Sequence, residues 1–288
     1  VLQFLTVNYY SSKLINKLLI SLKDLSISHK VIIVNNSPED RDIHNLSYPG
    51  LEIIETDRNL GFGRACNLGL AKICSRSVSD LVWLINPDAY FEKDDLLKIP
   101  VLLPMLSSYP ILGTTIYDEK SNLTFNGGIF CPIRGIIRED KIISNENIRP
   151  TKWVSGCSLI LNLQYFNECP NFDRDFFLYY EDFEFCQRYN KLGYDIAICS
   201  QIKVIHHTSS ITSKLTNKLT QEIYSYLLAL LKHSTKVSLV YRLLRIILVG
   251  IVETITLNNR GKAKLEGVKQ FIQFYLERSL GWKVQRDY

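Results

Sequence analysis

Short apolar runs alternate with amphipathic segments through the first 110 residues, a rhythm that predicts strands separated by helices. Val1–Asn8 (VLQFLTVN), Lys30–Val34 (KVIIV), Leu51–Thr56 (LEIIET) and Asp80–Ile85 read as strands buried on both faces. Between them, Leu14, Leu18, Leu22 and Leu25 recur at helical spacing, and a second helix is expected from about Arg64 to Ser75. Such alternation implies right-handed crossovers and a mostly parallel central sheet flanked by helices, an α/β fold. Each predicted strand ends in polar residues, so one edge of the sheet collects them.

The stretch Leu81–Phe91 (LVWLINPDAYF) carries the sharpest chemical signal. Its apolar run stops at Asn86-Pro87-Asp88, and a carboxylate at the carboxyl end of a central parallel strand faces the crevice where such sheets bind ligands. A hard divalent cation holding a diphosphate wants an oxygen ligand there. Asn-Pro-Asp is also ordinary turn chemistry, and that reading stays open. Gly61-Phe62-Gly63, between a strand and a helix, would let backbone N–H groups approach a phosphate. It lacks the third glycine of a dinucleotide fingerprint, so a plain tight turn is the alternative.

Beyond Ile111 the strands shorten. Leu123–Phe130, with Asn126-Gly127-Gly128 inside it, reads as a hairpin or a bulged strand. Trp153–Leu161 reads as a buried strand, with Gly156 where a ligand or backbone comes close. In Asn171–Arg188, Glu181, Asp182 and Glu184 lie among Phe176, Phe177, Tyr179, Tyr180, Phe183 and Phe185. Carboxylates among aromatic rings are partly desolvated, which raises their pKa toward that of a working base. Acidic residues also stabilise a helix start, and Glu184 can pair with Arg188 one turn on. Asp195–Ile205 is a last extended stretch that ends at His206-His207, where a ring is either a metal ligand or an ordinary hydrogen-bonded group.

The tail reads as three helices without legible chemistry. Leu219, Ile223, Tyr226, Leu227, Leu230 and Leu231 make one stripe, and Lys262–Arg278 carries Leu265, Val268, Ile272 and Tyr275 on another. Val237–Leu257 is more apolar, but Arg242, Arg245 and Glu253 leave no run approaching the ~20 residues that span a bilayer. Basic, apolar helices can lie in an anionic membrane interface. Packing on the preceding domain, or on a second subunit as a homodimer, is the competing expectation.

Composition narrows the class. With 46% hydrophobic and 22% charged residues the chain is globular, and a net charge of +5 is too mild to argue for nucleic acid. The seven cysteines are odd in number, scattered and without a C-x-x-C pair. They are expected to be reduced, buried small hydrophobes, not a disulfide frame or a zinc site. No secretory signal is legible at Val1, which favours a cytoplasmic location.

Taken together, the motifs resemble those of family 2 glycosyltransferases with the GT-A fold, within them the bacterial rhamnosyltransferase-like branch. The matching residues are Thr6-Val7-Asn8-Tyr9, Val34-Asn35-Asn36-Ser37, Asn59 to Gly63 with Asn67, Asn86-Pro87-Asp88, Ser155-Gly156-Cys157, Phe172-Asp173 through Glu181-Asp182, and His206. The resemblance implies a Rossmann-like GT-A domain whose nucleotide-sugar half covers residues 1–110 and whose acceptor half covers 111–210, with a helical appendix over 211–288. It implies that Asp88 holds Mg²⁺ or Mn²⁺ on the donor diphosphate, with His206 beside it, and that Asp182 is the general base. Thr6, Asn8 and Asn35 would face the nucleobase; Asn59, Gly61, Phe62, Gly63 and Asn67 the ribose and phosphates; Asn86 and Gly156 complete the donor site. Asn35 stands where aspartate is usual in the family, and Arg174 where glutamate usually follows Phe-Asp. The activity implied is metal-dependent, inverting transfer of a sugar, rhamnose among the candidates, in surface polysaccharide synthesis. The donor would be a nucleotide-diphosphate sugar. The acceptor would be a glycan or lipid-linked glycan, met at the inner face of the cell membrane. A catalytically silent sugar-nucleotide-binding protein of the same fold is the alternative.

Overall fold

The computed structural model describes residues 1–76, 81–142, 146–207 and 215–280. Its first half runs β1 (Leu2–Asn8), α1 (Ser12–Ser21), β2 (His29–Asn35), β3 (Leu51–Glu55), α2 (Phe62–Cys74), β4 (Leu81–Ile85), β5 (Ala89–Tyr90) and α3 (Lys93–Leu106). Then come β6 (Ile111–Asp118), β7 (Leu123–Phe125), β8 (Gly128–Cys131), β9 (Ile136–Glu139), β10 (Ile148–Pro150) and β11 (Ser158–Asn162). The chain continues with α4 (Glu181–Lys191), β12 (Ile196–His206), α5 (Leu215–His233), α6 (Lys236–Ile255) and α7 (Asn259–Leu280).

One sheet dominates, in the order β10-β12-β6-β11-β4-β1-β2-β3. The four strands β4-β1-β2-β3 are mutually parallel, as continuous apolar runs joined by helices require. β11 enters antiparallel between β4 and β6, and β6 pairs parallel with β12. Strands from both sides of residue 110 therefore share a single sheet. The register Asn8↔Asn35 sets those two amides side by side at the carboxyl end. Trp83, at the centre of β4, is fully buried; it stacks on Phe4 at 5.6 Å and donates its Nε1–H to Ser158 Oγ at 2.9 Å. That bond satisfies the indole's only polar group, as a core tryptophan needs.

Several elements differ from the sequence reading. Leu123–Phe130 is neither a hairpin nor one strand: β7 pairs with β6, whereas β8 leaves to form a two-stranded sheet with β9. The corner is turned at Gly127, whose φ of +101° suits glycine alone. Within Trp153–Leu161 only Ser158 onward is strand, and residues 153–157 form an irregular approach to it. Helix α3 was hidden by Pro100 and Pro104, yet it packs on β12 with Leu96 and Ile99 buried. The expectation that all cysteines are free fails too. Cys74 at the end of α2 and Cys169 are joined in a disulfide, a pairing across 95 residues that no local motif announces. Asp80, expected to open β4, and the junction at 208–214 lie outside the described residues.

The three tail helices pack on one another, and α5 docks on the sheet domain. Ser225 Oγ donates to the Leu178 carbonyl at 2.7 Å, Tyr226 Oη to the Gly135 carbonyl at 2.7 Å, and Lys232 pairs with Asp173 and Asp175, each at 2.7 Å. The buried face of α5 includes Tyr224 and Leu228 as well as Leu227 and Leu230, so it is broader than the predicted stripe.

Gly61 gives a direct test of how α2 is seated. Its φ is +82°, and a Cβ there would lie 2.2 Å from the Phe177 carbonyl oxygen, which already accepts the Phe62 N–H. Gly61→Ala is expected to destabilise the fold by about 2 kcal/mol or more, from backbone strain plus overpacking. Urea unfolding of the variant against wild type measures it.

Candidate active site

One cavity is reached by His206, the partner of Asp88, and by the acidic start of α4, because three backbone segments converge on it. After β4 the chain turns through Asn86-Pro87-Asp88 and enters β5, which pairs antiparallel with the end of β12, Ala89 opposite His206. That pairing brings His206 Nε2 to 3.1 Å from Asp88 Oδ1. Asp88 Oδ1 is shielded from solvent and lacks a hydrogen-bond partner of good geometry, so an electropositive partner is what the site wants. His207 turns elsewhere: its N–H binds the Asp88 carbonyl at 2.9 Å, while its ring pairs with Glu119.

The second cluster opens α4. Tyr179 and Tyr180 both hold left-handed backbone conformations, at φ 66° and 63°. Two consecutive non-glycine residues there are costly, and the surrounding packing holds them. Their kink delivers Glu181 and Asp182 to the helix N-terminus on different sides. Asp182 faces the cavity and accepts two backbone N–H bonds, Gly156 to Oδ2 at 2.9 Å and Phe183 to Oδ1 at 2.7 Å. Glu181 goes under α2 beside Gly63, only 6% exposed, with Oε2 unpartnered. Burial raises the proton affinity of both acids. Glu181 is pushed up to about 8, by desolvation first and then by the neighbouring Asp182. The N–H donors work the other way at Asp182 and offset part of its rise.

A single backbone path links the clusters. Asn86 N–H donates to the Cys157 carbonyl at 3.0 Å, and one residue earlier Gly156 N–H holds Asp182. Burial, with Asp88 and Asp182 on either side, raises the Cys157 thiol well above its usual range and keeps it neutral. The shared cavity measures about 840 Å³ and is lined by Asn86, Gly156, Asp182 and His206 among others.

The remaining expected donor residues lie in two bonded sets. Asn8 Nδ2 reaches Asn35 Oδ1 at 2.9 Å and Asp40 at 3.0 Å, and Asn35 Nδ2 donates to Glu55 at 2.8 Å. Both asparagines are fully buried; Thr6 Oγ1 is buried without a hydrogen-bond partner. Asn59 Oδ1 accepts from Asn36 and from Gly61 N–H, each at 2.9 Å. Asn67 exchanges two bonds with the Phe172 backbone, at 2.9 and 2.7 Å. Gly61 and Gly63 give close approach to Phe177 and Phe172, and of this set Phe62 lines the cavity. Asn67, Gly61 and Gly63 thus seat the 172–177 segment on α2.

Other cavity residues had no sequence signal. Arg138, Glu139 and Lys141 come from β9 and the turn after it, and Lys218 and Glu222 from α5. The tail, read as helices without legible chemistry, thus places two charged side chains on the cavity wall. Lys218 Nζ lies over the Tyr179 ring, 5.8 Å from its centroid. Burial, with Glu222 and Glu181 close by, pushes the Tyr179 phenol up to about 12.

For a metal, Asp88 and His206 offer one carboxylate and one imidazole, a donor pair that Mn²⁺ or Mg²⁺ accepts. Among the described residues there is no group of three or more His, Cys, Asp or Glu able to enclose an ion. The pair fits a cation whose other ligands come from a bound diphosphate and water.

No protein-family profile matches the chain. Two strains of Mycobacterium tuberculosis have an N-acetylglucosaminyl-diphospho-decaprenol L-rhamnosyltransferase that is 26% identical over 195 residues, 58% of this chain and 62% of that protein. The low-salt glycan biosynthesis hexosyltransferase Agl10 of Haloferax volcanii is 23% identical over 212 residues, 72% of this chain and 67% of its own. The chain spans less than two thirds of the mycobacterial proteins' length. In three dimensions it is similar to GalNAc-T7 solved with UDP, GalNAc and Mn²⁺, with a TM-score of 0.55 and 11% identity over 80% of this chain and 47% of that one. The fold is of the GT-A, Rossmann-like class. In sequence the chain is related to rhamnosyl- and hexosyltransferases at the level of the superfamily.

The Glu181 environment predicts a pH signature independent of activity. Its folded pKa lies above its unfolded one, so the unfolded chain releases this proton first as pH rises. Glu181 therefore costs nothing below about pH 4, and increasingly destabilises the fold up to about pH 8. Glu181→Gln removes that cost, and its urea midpoint is expected to gain on wild type steadily from pH 5 to pH 8. A gap between the two that does not change with pH would contradict the placement of the proton.

Proposed function

We propose that the protein is an inverting, metal-dependent glycosyltransferase that moves a sugar from a nucleotide-diphosphate donor to a hydroxyl of a glycan or lipid-linked glycan. The observation that carries this reading is the single cavity shared by Asp182 and by His206 with its partner Asp88. Asp182 is then the general base, removing the acceptor hydroxyl proton as that oxygen attacks the anomeric carbon. The bond to the donor diphosphate breaks on the opposite face, and its electron pair leaves with the diphosphate oxygen. A divalent cation held by Asp88 and His206 would neutralise that leaving charge. A single displacement with inversion is what the resemblance to family 2 glycosyltransferases implies, with Asp182 as its base.

Asn86 and Gly156 fix the distance between the two halves of this reaction, and Thr6, Asn8, Asn35, Asn59 and Asn67 belong to the donor side. Arg138, Lys141 and Lys218 at the outer wall suit an acceptor that carries phosphate. The names of the mycobacterial relatives favour rhamnose as the sugar and a lipid diphosphate as the acceptor's anchor.

A thermal-shift panel of sugar nucleotides with and without Mn²⁺ tests the binding half, since a ligand of the native state raises its melting point. The cognate donor is expected to stabilise the protein only when metal is present, and Asp88→Ala to abolish the metal-dependent part. Asp182→Asn should lower kcat by roughly 10²–10⁴-fold while leaving the donor-induced shift in place. A variant at Asp88 that transfers sugar at the wild-type rate, or an Asp182→Asn protein that no longer binds donor, overturns the assignment.

A further inference from the structure

Helix α6 presents an apolar face that none of the described residues covers. Its inner side packs on α7, and Arg242 binds the Arg134 carbonyl at 3.0 and 2.9 Å. Its outer side carries Val237, Val240, Tyr241, Leu244, Leu248, Ile251, Val252 and Ile255, every one exposed, with Val237 at 80%, Leu248 at 64% and Ile255 at 75%. At 100° per residue these positions fall on one stripe, about 27 Å long, that no charged side chain interrupts. Ile133, 76% exposed on the turn between β8 and β9, lies beside its start, since Thr235 N–H and Ser238 Oγ both bind the Pro132 carbonyl. A contiguous apolar surface of this size exceeds the scattered exposed residues normal on a monomer.

The charge around the stripe says what covers it. From Lys236 to Lys264 there are six basic residues, Lys236, Arg242, Arg245, Arg260, Lys262 and Lys264, against one acid, Glu253. Glu253 is neutralised by Lys264 at 2.6 Å. This stretch thus holds a net +5, equal to the net charge of the whole chain, and the other residues balance at 28 basic and 28 acidic. Lys236 and Arg245 are exposed on opposite flanks of the stripe, the arrangement of a helix lying in an interface with its cations at headgroup level. A second copy is the poorer occupant, because a two-fold contact would set this excess charge against itself. No helix among the described residues is long and apolar enough to cross a bilayer.

We propose that α6 seats the protein in the surface of an anionic lipid bilayer, its apolar stripe entering the acyl boundary while the flanking cations meet the headgroups. This goes beyond the proposed transfer reaction and does not depend on it. The hairpin β8–β9 carries the contact inward, because the turn beside α6 leads into β9, whose Arg138 and Glu139 line the cavity. The cavity is thereby held next to the membrane surface.

The test is co-sedimentation of the full chain with vesicles of phosphatidylcholine alone, or of phosphatidylcholine with phosphatidylglycerol. Binding to the anionic vesicles is expected at low salt, with partial release at high salt and none with the neutral lipid. Leu248→Glu changes an exposed side chain, so its melting point should match wild type, while its vesicle affinity falls roughly tenfold or more. Arg245→Glu should weaken binding and reduce its salt dependence. Failure of wild type to bind anionic vesicles overturns the proposal, as does binding that Leu248→Glu leaves intact. A dimer that Leu248→Glu dissociates, with no vesicle binding, would assign the stripe to a second copy instead.

Discussion

The site depends on the 155–157 turn, whose main-chain groups hold a strand end on one side and the Asp182 carboxylate on the other. Cys157 offers its carbonyl to the end of β4, and Gly156 gives its N–H to Asp182. Main-chain groups have no rotamers, so they transmit position without the slack of long side chains. The strand end that carries Asp88 and the helix start that carries Asp182 come from segments almost a hundred residues apart. Through this turn they behave as one piece. Its stiffness has a source: β11, which follows the turn, is gripped between β4 and β6 in the middle of the sheet.

The second constraint is electrostatic. Two adjacent acids at a buried helix start cannot both ionise cheaply, because each disfavours the other's charge and neither is well hydrated. The kink at Tyr179 and Tyr180 gives the two acids different surroundings: Asp182 meets backbone N–H donors, while Glu181 is buried beside Gly63 of α2. The strained backbone and the division of roles are therefore one feature.

Much of this was legible in the chain itself. The parallel strands β1 to β4 announce themselves as apolar runs, and the polar residues at their ends do lie along one edge, because strand period and burial are local properties. Asp88, Asp182 and His206 were expected at element ends from their places in the sequence, and the structure puts them after β4, at the start of α4 and at the end of β12. What escaped was set by distant partners. Nothing local to Gly127 says that β8 leaves the main sheet. Nothing near Cys74 points to Cys169, and the prolines of α3 argue against the helix that forms. The contacts of Asn67, Gly61 and Gly63 with Phe172 and Phe177 were not legible either, because the position of that segment depends on the tertiary fold. Lys218 and Glu222 reach the cavity only because α5 folds back across it.

That folded-back helix separates two kinds of change. Lys218 and Glu222 form part of the outer wall while α5 is fastened by Ser225, Tyr226 and Lys232, contacts that make no use of the residues facing inward. The inward positions are free to vary without loosening the attachment, and without touching the turn that spaces Asp88 from Asp182. A lineage can thus exchange what the outer wall admits as if changing a shutter, while the hearth behind it stays as built.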